Sequence, residues 1–589
     1  MHIAVLRRDR CHPKKCNHEC QYYCPPVRSG TPTIEFPDAE GQPLITEKLC
    51  IGCGICVRRC PFGAITIVGI PDELEKEKVH QFSENSFRLY SLPVVQQGKV
   101  TAILGQNGMG KSTTLSILAG NTIPNFGNFR EPPSKDDVVK RLSGTVMGQY
   151  FRDLYSGRKK VVLKSQYVDL IPRVVKGRIR DALSNADQSG RMDEVVSLMS
   201  MEGVLDKDID KCSGGELQKL AISVALLKDA DVYLMDEMSS YLDITERLRV
   251  ARVVQELARD RTVLVVEHDL AIMDWMADAV HIVYGKPGAY GVITEQKSTN
   301  KAVNEFLSGY LREENVRIRE SSIDFQERTL RRDVNAPVLV SWENVSKTLG
   351  DFTLRARSGS IRLTQVVGVL GRNGLGKTSF VKILAGIMQP DTGAVSSTVR
   401  VAYKPQYISV DYAGTVADLI GEALKERSAD TFVNNEIMHP LQINELMDLE
   451  VEDLSGGELQ RLSIAITLAR DADLFLLDEP SAHLDSAMRM EAAKVIRRVM
   501  ENNRKSALVV DHDVYFIDLI SDSLMVFRGE GGRHGEAFGP MDMRSGMNMF
   551  LSDAGVTFRR DQQTKRPRIN KPGSSLDRSQ RESGEYYFS

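Results

Sequence analysis

Hydrophobic positions in this chain fall into short runs separated by glycine and charge, and two of the runs are near copies. Val100-Thr-Ala-Ile-Leu104 and Val366-Val-Gly-Val-Leu370 are rich in β-branched residues, and each precedes a glycine-rich turn and a helix-like stretch. This pattern predicts a buried strand, a tight turn and a helix. Tyr233-Leu-Met-Asp236 and Phe475-Leu-Leu-Asp478 predict a second pair of strands, each closing on an Asp-Glu dipeptide. Landmarks repeated in the same order mark a duplicated unit, so an α/β architecture built twice is expected. No apolar run approaches the roughly 18 residues needed to cross a bilayer. The opening Met-His-Ile-Ala-Val-Leu-Arg-Arg is too weakly apolar for a signal peptide, so a cytoplasmic location is expected.

The two turns carry the first chemistry. Gly105-Gln-Asn-Gly-Met-Gly110-Lys111-Ser112 returns as Gly371-Arg-Asn-Gly-Leu-Gly376-Lys377-Thr378, and both satisfy G-x4-G-K-[ST] between a strand and a helix. Glycine allows backbone N–H groups to wrap phosphate at a helix N-terminus. The phosphate-binding set is therefore Gly105, Asn107, Gly108, Gly110, Lys111, Ser112 and Thr113 in one copy. In the other it is Gly371, Asn373, Gly374, Gly376, Lys377, Thr378 and Ser379. Lys111 and Lys377 are expected to reach the β/γ-phosphates, with Ser112 and Thr378 on magnesium. Ser213-Gly214-Gly215-Glu recurs as Ser455-Gly456-Gly457-Glu, and His268 recurs as His512. Lys111 and Lys377 stand 266 residues apart (377 − 111), whereas Ser213 and Ser455 stand 242 apart (455 − 213). Gln166 and Gln406, in matching Lys-x-Gln-Tyr contexts, place the surplus of the first copy near residues 121–165, where a polar helical hairpin is expected as a contact surface. Phe82 and Trp342 each precede a phosphate loop by roughly thirty residues and read either as stacking on adenine or as core packing.

Composition adds a third unit. At 589 residues the chain has room for several domains. With 76 Lys and Arg against 79 Asp and Glu, the net charge is −3, which excludes a generally basic nucleic-acid coat. Eight of nine cysteines lie before residue 61. Cys50-x2-Cys53-x2-Cys56-x3-Cys60-Pro61 fits the bacterial ferredoxin run, in which the fourth cysteine serves the other cluster. Cys11, Cys16, Cys20 and Cys24-Pro25 form a looser second quartet. By the crossing rule, Cys11, Cys16, Cys20 and Cys60 hold one 4Fe-4S cluster and Cys24, Cys50, Cys53 and Cys56 the other. Two zinc sites are the competing reading of the same ligands. From Val556 to Ser589, eight Lys and Arg face four Asp and Glu, a local +4 that reads either as a solvated basic tail or as a contact for RNA phosphates.

The ordered set of phosphate loop, Ser-Gly-Gly-Glu signature, strand-end Asp-Glu and later histidine resembles the ATP-binding-cassette ATPases. That resemblance implies that Asp236 and Asp478, with Gln166 and Gln406, attend magnesium, that Glu237 and Glu479 polarise the attacking water, and that His268 and His512 hold the γ-phosphate. It also implies that each ATP lies between the phosphate loop of one half and the signature of the other. With the eight-cysteine head, Tyr284-Gly-Lys-Pro-Gly-Ala-Tyr-Gly291 and Phe558-Arg-Arg-Asp561, the whole chain resembles the RNase L inhibitor family, the iron-sulfur ribosome-recycling ATPases of archaea and eukaryotes. The fold implied is α/β and α+β multidomain: a ferredoxin-like domain at 1–75, a first ABC-type ATPase domain at 76–300, a hinge at 301–330, a second ATPase domain at 331–540, and a second hinge with a basic tail at 541–589. The Tyr284–Gly291 turn is itself read as a hinge element. The implied activity is ATP hydrolysis in a monomer whose closure swings the head against a release factor or Pelota-type factor and splits the ribosome. The implied contacts are ribosomal RNA and the small subunit, with a link to initiation factors. A transporter's ATPase subunit and an ATP-gated redox protein are the alternatives.

Overall fold

The computed structural model describes residues 2–38, 41–320, 322–323, 325, 336–396, 399–406, 412–562 and 564–587. Part of the expected first hinge, at 321, 324 and 326–330, lies outside the described residues, as do 331–335. The head pairs His2–Leu6 antiparallel with Ile65–Gly69 and wraps its cysteines around short helical turns. Asn85 fastens it to the first cassette. Its buried side chain donates to the Ala4 and Ile45 carbonyls and accepts from Ile45 N, while its own carbonyl accepts from Leu6 N. Arg88 reinforces the join through Glu47 at 2.5 Å, and Ile3, Ile70, Tyr90 and Val292 close an apolar seam beneath it.

Both cassettes are built on the same parallel strand order. In the first, Val161–Lys164, Val232–Asp236, Thr262–Val266, Val100–Gly105 and Ala279–Lys286 are neighbours in that sequence. In the second, Val401–Lys404, Leu474–Asp478, Ser506–Val510, Val366–Gly371 and Ser523–Glu530 repeat it. Each phosphate-loop strand is central and buried along its full length, which is why it reads as an uninterrupted apolar run. Parallel pairing brings the carboxyl ends of neighbouring strands to one edge, where ligands of open α/β sheets bind. Lys164, Asp236 and Gly105 meet there in one copy, and Lys404, Asp478 and Gly371 in the other.

The surplus of the first copy forms two helices, Lys135–Arg141 and Val146–Tyr155, capped by Ser134 and Thr145. They fold back on the cassette because Tyr150 and Phe151 are buried and the Tyr150 hydroxyl donates to Leu118 O at 2.6 Å. The expected hinge element Tyr284–Gly291 is ordered by strand pairing and by the phosphate loop. It is the turn region of a hairpin between Ala279–Lys286 and Tyr290–Ile293, and its Gly288 N donates to Gly108 O in the phosphate loop at 2.9 Å. A Cβ on Gly291 would lie 2.1 Å from Met109 O, so the close approach demands glycine.

The C-terminal segment departs from the reading of a solvated tail. Phe558–Arg560 pairs with Pro567–Ile569, and the second strand lies against helix Leu270–Met276 of the first cassette. Arg566 is fully buried; it and Arg568 reach Asp274 and Asn300, while Arg560 pairs with Asp518. Three of the segment's positive charges, on Arg560, Arg566 and Arg568, are thus set against buried acids, and the segment brackets both cassettes. Asp274→Ala would strand two guanidinium groups, one of them fully buried, and should cost about 3–5 kcal/mol. Thermal denaturation with limited proteolysis should show a lower melting temperature and early cleavage after residue 555; an unchanged melting curve would contradict the bracket.

Candidate functional site

Each phosphate loop ends in a glycine of positive φ (Gly110 and Gly376, both +86°) that caps the following helix, Lys111–Leu118 or Lys377–Leu384. Lys111 Nζ donates to Gly105 O and Gln106 O, and Lys377 Nζ to Gly371 O and Arg372 O, all at 2.8 Å. The lysines are held inside the loops by their own backbone, and burial depresses both pKa values against the pull of nearby carboxylates. Asn107, Gly108, Asn373 and Gly374 lie in the turns, with Ser112, Thr113, Thr378 and Ser379 on the first helical turn.

At the strand ends, Ser112 Oγ donates to Asp236 Oδ2 at 3.0 Å. Asp478 lies beside Thr378 with neither carboxylate oxygen in a full hydrogen bond, and burial pushes its pKa up to about 6. A buried, under-satisfied carboxylate next to a hydroxyl is a donor set that suits magnesium. Gln166 Nε2 donates to Glu237 Oε1 at 2.6 Å and Gln406 Nε2 to Glu479 Oε1 at 2.8 Å. His268 Nε2 lies 3.4 Å from Glu237, and His512 Nε2 lies 3.3 Å from Glu479. Burial alone would raise the pKa of both glutamates. The histidine hydrogen bond and charge, with the loop lysine and the glutamine, bring each down to about 2. Both are therefore carboxylates at neutral pH, able to accept from water.

The halves meet head to tail. Asn107 N in the first phosphate loop donates to Asp485 Oδ2 at 2.8 Å, and Asn373 N in the second donates to Asp243 Oδ2 at 3.0 Å. Asn373 Nδ2 also donates to Tyr241 O at 3.2 Å. Ser213 and Ser455 cap the signature helices Gly214–Leu227 and Gly456–Ala469 through capping boxes with Glu216 and Glu458. Gly214 and Gly215 rest on Tyr241, and Gly456 and Gly457 on His483, so each signature abuts the segment that enters the opposite loop. The equivalence ends at the capping glutamates. Glu216 pairs with Lys207 of its own half, whereas Glu458 accepts from Arg10 of the head at 3.2 Å.

Two aromatic expectations separate. Phe82 is exposed, in edge contact with His80. Trp342 is not available for stacking on adenine: it is 1% exposed, its Nε1 donates to Arg357 O, and its ring packs on Phe380. An indole whose N–H is satisfied inside a core is a packing residue. The sequence reading passed over Phe87 and Phe352, half-buried rings that crowd Gly110 and Gly376, where an added Cβ would sit within 2.9 Å of them. Their similar spacing ahead of Lys111 and Lys377 was the available signal.

The head gathers its thiols in two sets. Cys11, Cys16, Cys20 and Cys60 line one hollow with His12, Phe36 and Phe62. Cys24, Cys50, Cys53 and Cys56 are close enough to perturb one another. Burial, then neighbouring thiols, pushes Cys11 up to about 11 and Cys20 and Cys56 up to about 12. Thiolates are stable in such sites only beside strong positive charge, which iron in a cluster provides.

Comparison with known proteins agrees with this layout. The ABC transporter profile matches residues 93–240 and 354–482, a possible Fer4-like domain in RNase L inhibitor matches 1–31, and the 4Fe-4S binding domain matches 43–66. An ABC transporter ATP-binding protein of Methanocaldococcus jannaschii is 48% identical over 100% of this chain and 98% of its own. Translation initiation factor RLI1 of Saccharomyces cerevisiae is 40% identical over 100% and 98%. The structure titled "Model of ribosome-bound archaeal Pelota and ABCE1" superposes with a TM-score of 0.95 at 49% identity, covering 100% of this chain and 99% of that one. No helix among the described residues is long and apolar enough to cross a membrane.

Cys53→Ser should lower bound iron and bleach the visible absorbance while leaving ATP binding within about twofold, because the mutated thiol belongs to the head alone. Metal analysis alongside nucleotide titration checks this; stoichiometric zinc without iron or sulfide would overturn the cluster reading.

Proposed function

The chain belongs to the RNase L inhibitor family of iron-sulfur ABC ATPases, and on that premise we propose that it is a cytoplasmic ATP-driven factor that splits ribosomes into subunits after termination or rescue. The observation that carries this reading is the reciprocal insertion of Asp243 and Asp485 into opposite phosphate loops, together with the head's grip on the second signature helix. ATP bound in each loop adds its γ-phosphate to this junction and favours the closed arrangement, while hydrolysis withdraws those contacts.

In the proposed reaction Glu237 or Glu479 orients a water for in-line attack on the γ-phosphorus. The bond to the β,γ-bridging oxygen breaks, and ADP and phosphate leave. His268 and His512 hold the γ-phosphate oxygens, and Lys111 and Lys377 turn from backbone carbonyls to the β/γ-phosphates. Magnesium, held by Ser112, Asp236 and Gln166 or by Thr378, Asp478 and Gln406, neutralises phosphate charge when bound. The two thiol sets fit two 4Fe-4S clusters whose role is to stiffen the head. Its contacts run to Glu458 and the Glu445 carbonyl in the second cassette and to Asn85 and Glu47 in the join with the first, so cassette closure transmits force to it. The partners in this reading are ribosomal RNA and protein, a release or Pelota-type factor, and, on the small subunit afterwards, initiation factors. The exposed Lys135, Lys140 and Arg141 of the inserted helices suit RNA phosphates.

Ribosomes incubated with the protein, release factor or Pelota-type factor and ATP should resolve into subunits on a sucrose gradient. Intact ribosomes at saturating ATP would refute the reading. Glu237→Gln and Glu479→Gln should each slow turnover at least tenfold and retain ATP on the protein after gel filtration, and unchanged turnover in both would remove the glutamates from the chemistry.

A further inference from the structure

Two buried lysines lie outside this mechanism. Lys164 is 3% exposed and Lys404 is fully buried, each ending the strand that runs parallel to the Asp-Glu strand. A position between packed strands ordinarily suits an apolar side chain, and burying an ammonium is costly unless its donors are used. Here they are used, on the same two atoms in each copy. Lys164 Nζ donates to Asp236 O at 2.8 Å and Glu237 O at 2.9 Å. Lys404 Nζ donates to Asp478 O at 2.9 Å and Glu479 O at 3.3 Å, with Pro405 O at 3.1 Å.

A second donor reaches the same glutamate carbonyl from the signature helix. Gln218 Nε2 donates to Glu237 O at 2.6 Å, and Gln460 Nε2 to Glu479 O at 2.7 Å. The glutamate N–H groups are held from the other side, by Val266 O at 2.9 Å and Val510 O at 2.8 Å. The backbone fixed in this way is strained: Glu237 and Glu479 both have φ of +48°, the left-handed region that side chains with a Cβ avoid. A strained conformation persists only where its surroundings over-determine it, and the clamp does so twice with the same residue types.

We propose that Lys164 with Gln218, and Lys404 with Gln460, are positioning residues that lock the peptide of the catalytic glutamate in its left-handed turn and so aim its carboxylate at the attacking water. The proposal rests on the reading that Glu237 and Glu479 orient that water. Neither lysine touches nucleotide in this role; each acts through the backbone of the glutamate. Loss of the clamp should leave ATP affinity in place and release the glutamate to a relaxed backbone in which its carboxylate is misdirected.

The test is a double-mutant cycle on the full-length, iron-loaded protein, read as ATP Kd and as single-turnover hydrolysis rate. Lys164→Met and Lys404→Met should hold Kd within about twofold and slow hydrolysis at least tenfold at their own site, with ATP retained after gel filtration. In the Glu237→Gln background Lys164→Met should add less than about twofold, because the group it aims is already gone; a purely structural role would multiply the two losses. Should Lys164→Met fail to fold, Gln218→Met at the other donor runs through the same cycle with the same expectation. Wild-type hydrolysis in the folded Lys→Met variants, or multiplicative losses, would overturn the clamp. An unaltered rate in Glu237→Gln would instead bring down the catalytic assignment beneath it, so the two failures are distinct.

Discussion

The structure turns on a pair of hydrogen bonds that cross between its halves, from the amide of Asn107 to Asp485 and from that of Asn373 to Asp243. Phosphate loops are nests of outward-facing N–H groups, and a nest attracts negative charge whether it comes from a nucleotide or from a neighbouring side chain. Setting a carboxylate from one cassette against the loop of the other makes each nucleotide site a joint property of both. Asp243 is held well below the ordinary carboxylate range although burial opposes it, through the Asn373 and Glu246 amides with His512 and Lys377 nearby. Asp243 therefore carries its charge at neutral pH.

That junction is polar. The opposite end of the molecule is not. One apolar core runs through helices Leu270–Met276 and Val514–Ile520 of the two cassettes, and Phe325 packs on Tyr515 at 5.2 Å. The C-terminal strands lie over this seam, with Arg566 and Arg568 on Asp274 and Arg560 on Asp518. An apolar seam resists separation while a polar one exchanges partners at lower cost, so the two cassettes are held most firmly away from the nucleotide edge.

Much of this was legible in sequence where the chemistry is local. A phosphate loop is eight consecutive residues, and a signature helix announces itself by its capping box, so spacing alone placed them on the right elements. The ferredoxin run paired its cysteines across the two quartets for the same reason. The choice between adenine stacking and core packing at Trp342, and the partners of the C-terminal arginines, were not legible because both are set by distant residues. Nothing near Trp342 reveals that Phe380 and Arg357 O enclose it, and a local charge of +4 does not disclose that Asp274, nearly 300 positions earlier, waits beneath. Lys164 and Lys404 were visible only as flanking letters of the glutamine motif, since the carbonyls they hold belong to a neighbouring strand.

The two copies share the pattern of their loops, glutamates and histidines, and the head adds a difference from outside the motifs. Glu216 and Glu458 hold equivalent places in the first turn of their signature helices, yet Glu216 is paired with Lys207, shortly before its own N-cap Ser213, while Glu458 is paired with Arg10, the residue before Cys11 in the head. The first signature is thus secured by its own cassette whatever the head does. The second takes a further contact from the head, and it is the second signature that faces the phosphate loop of Lys111. The head is thus tied through Arg10 to the signature that faces the Lys111 loop, while the signature that faces the Lys377 loop is tied to its own cassette through Lys207.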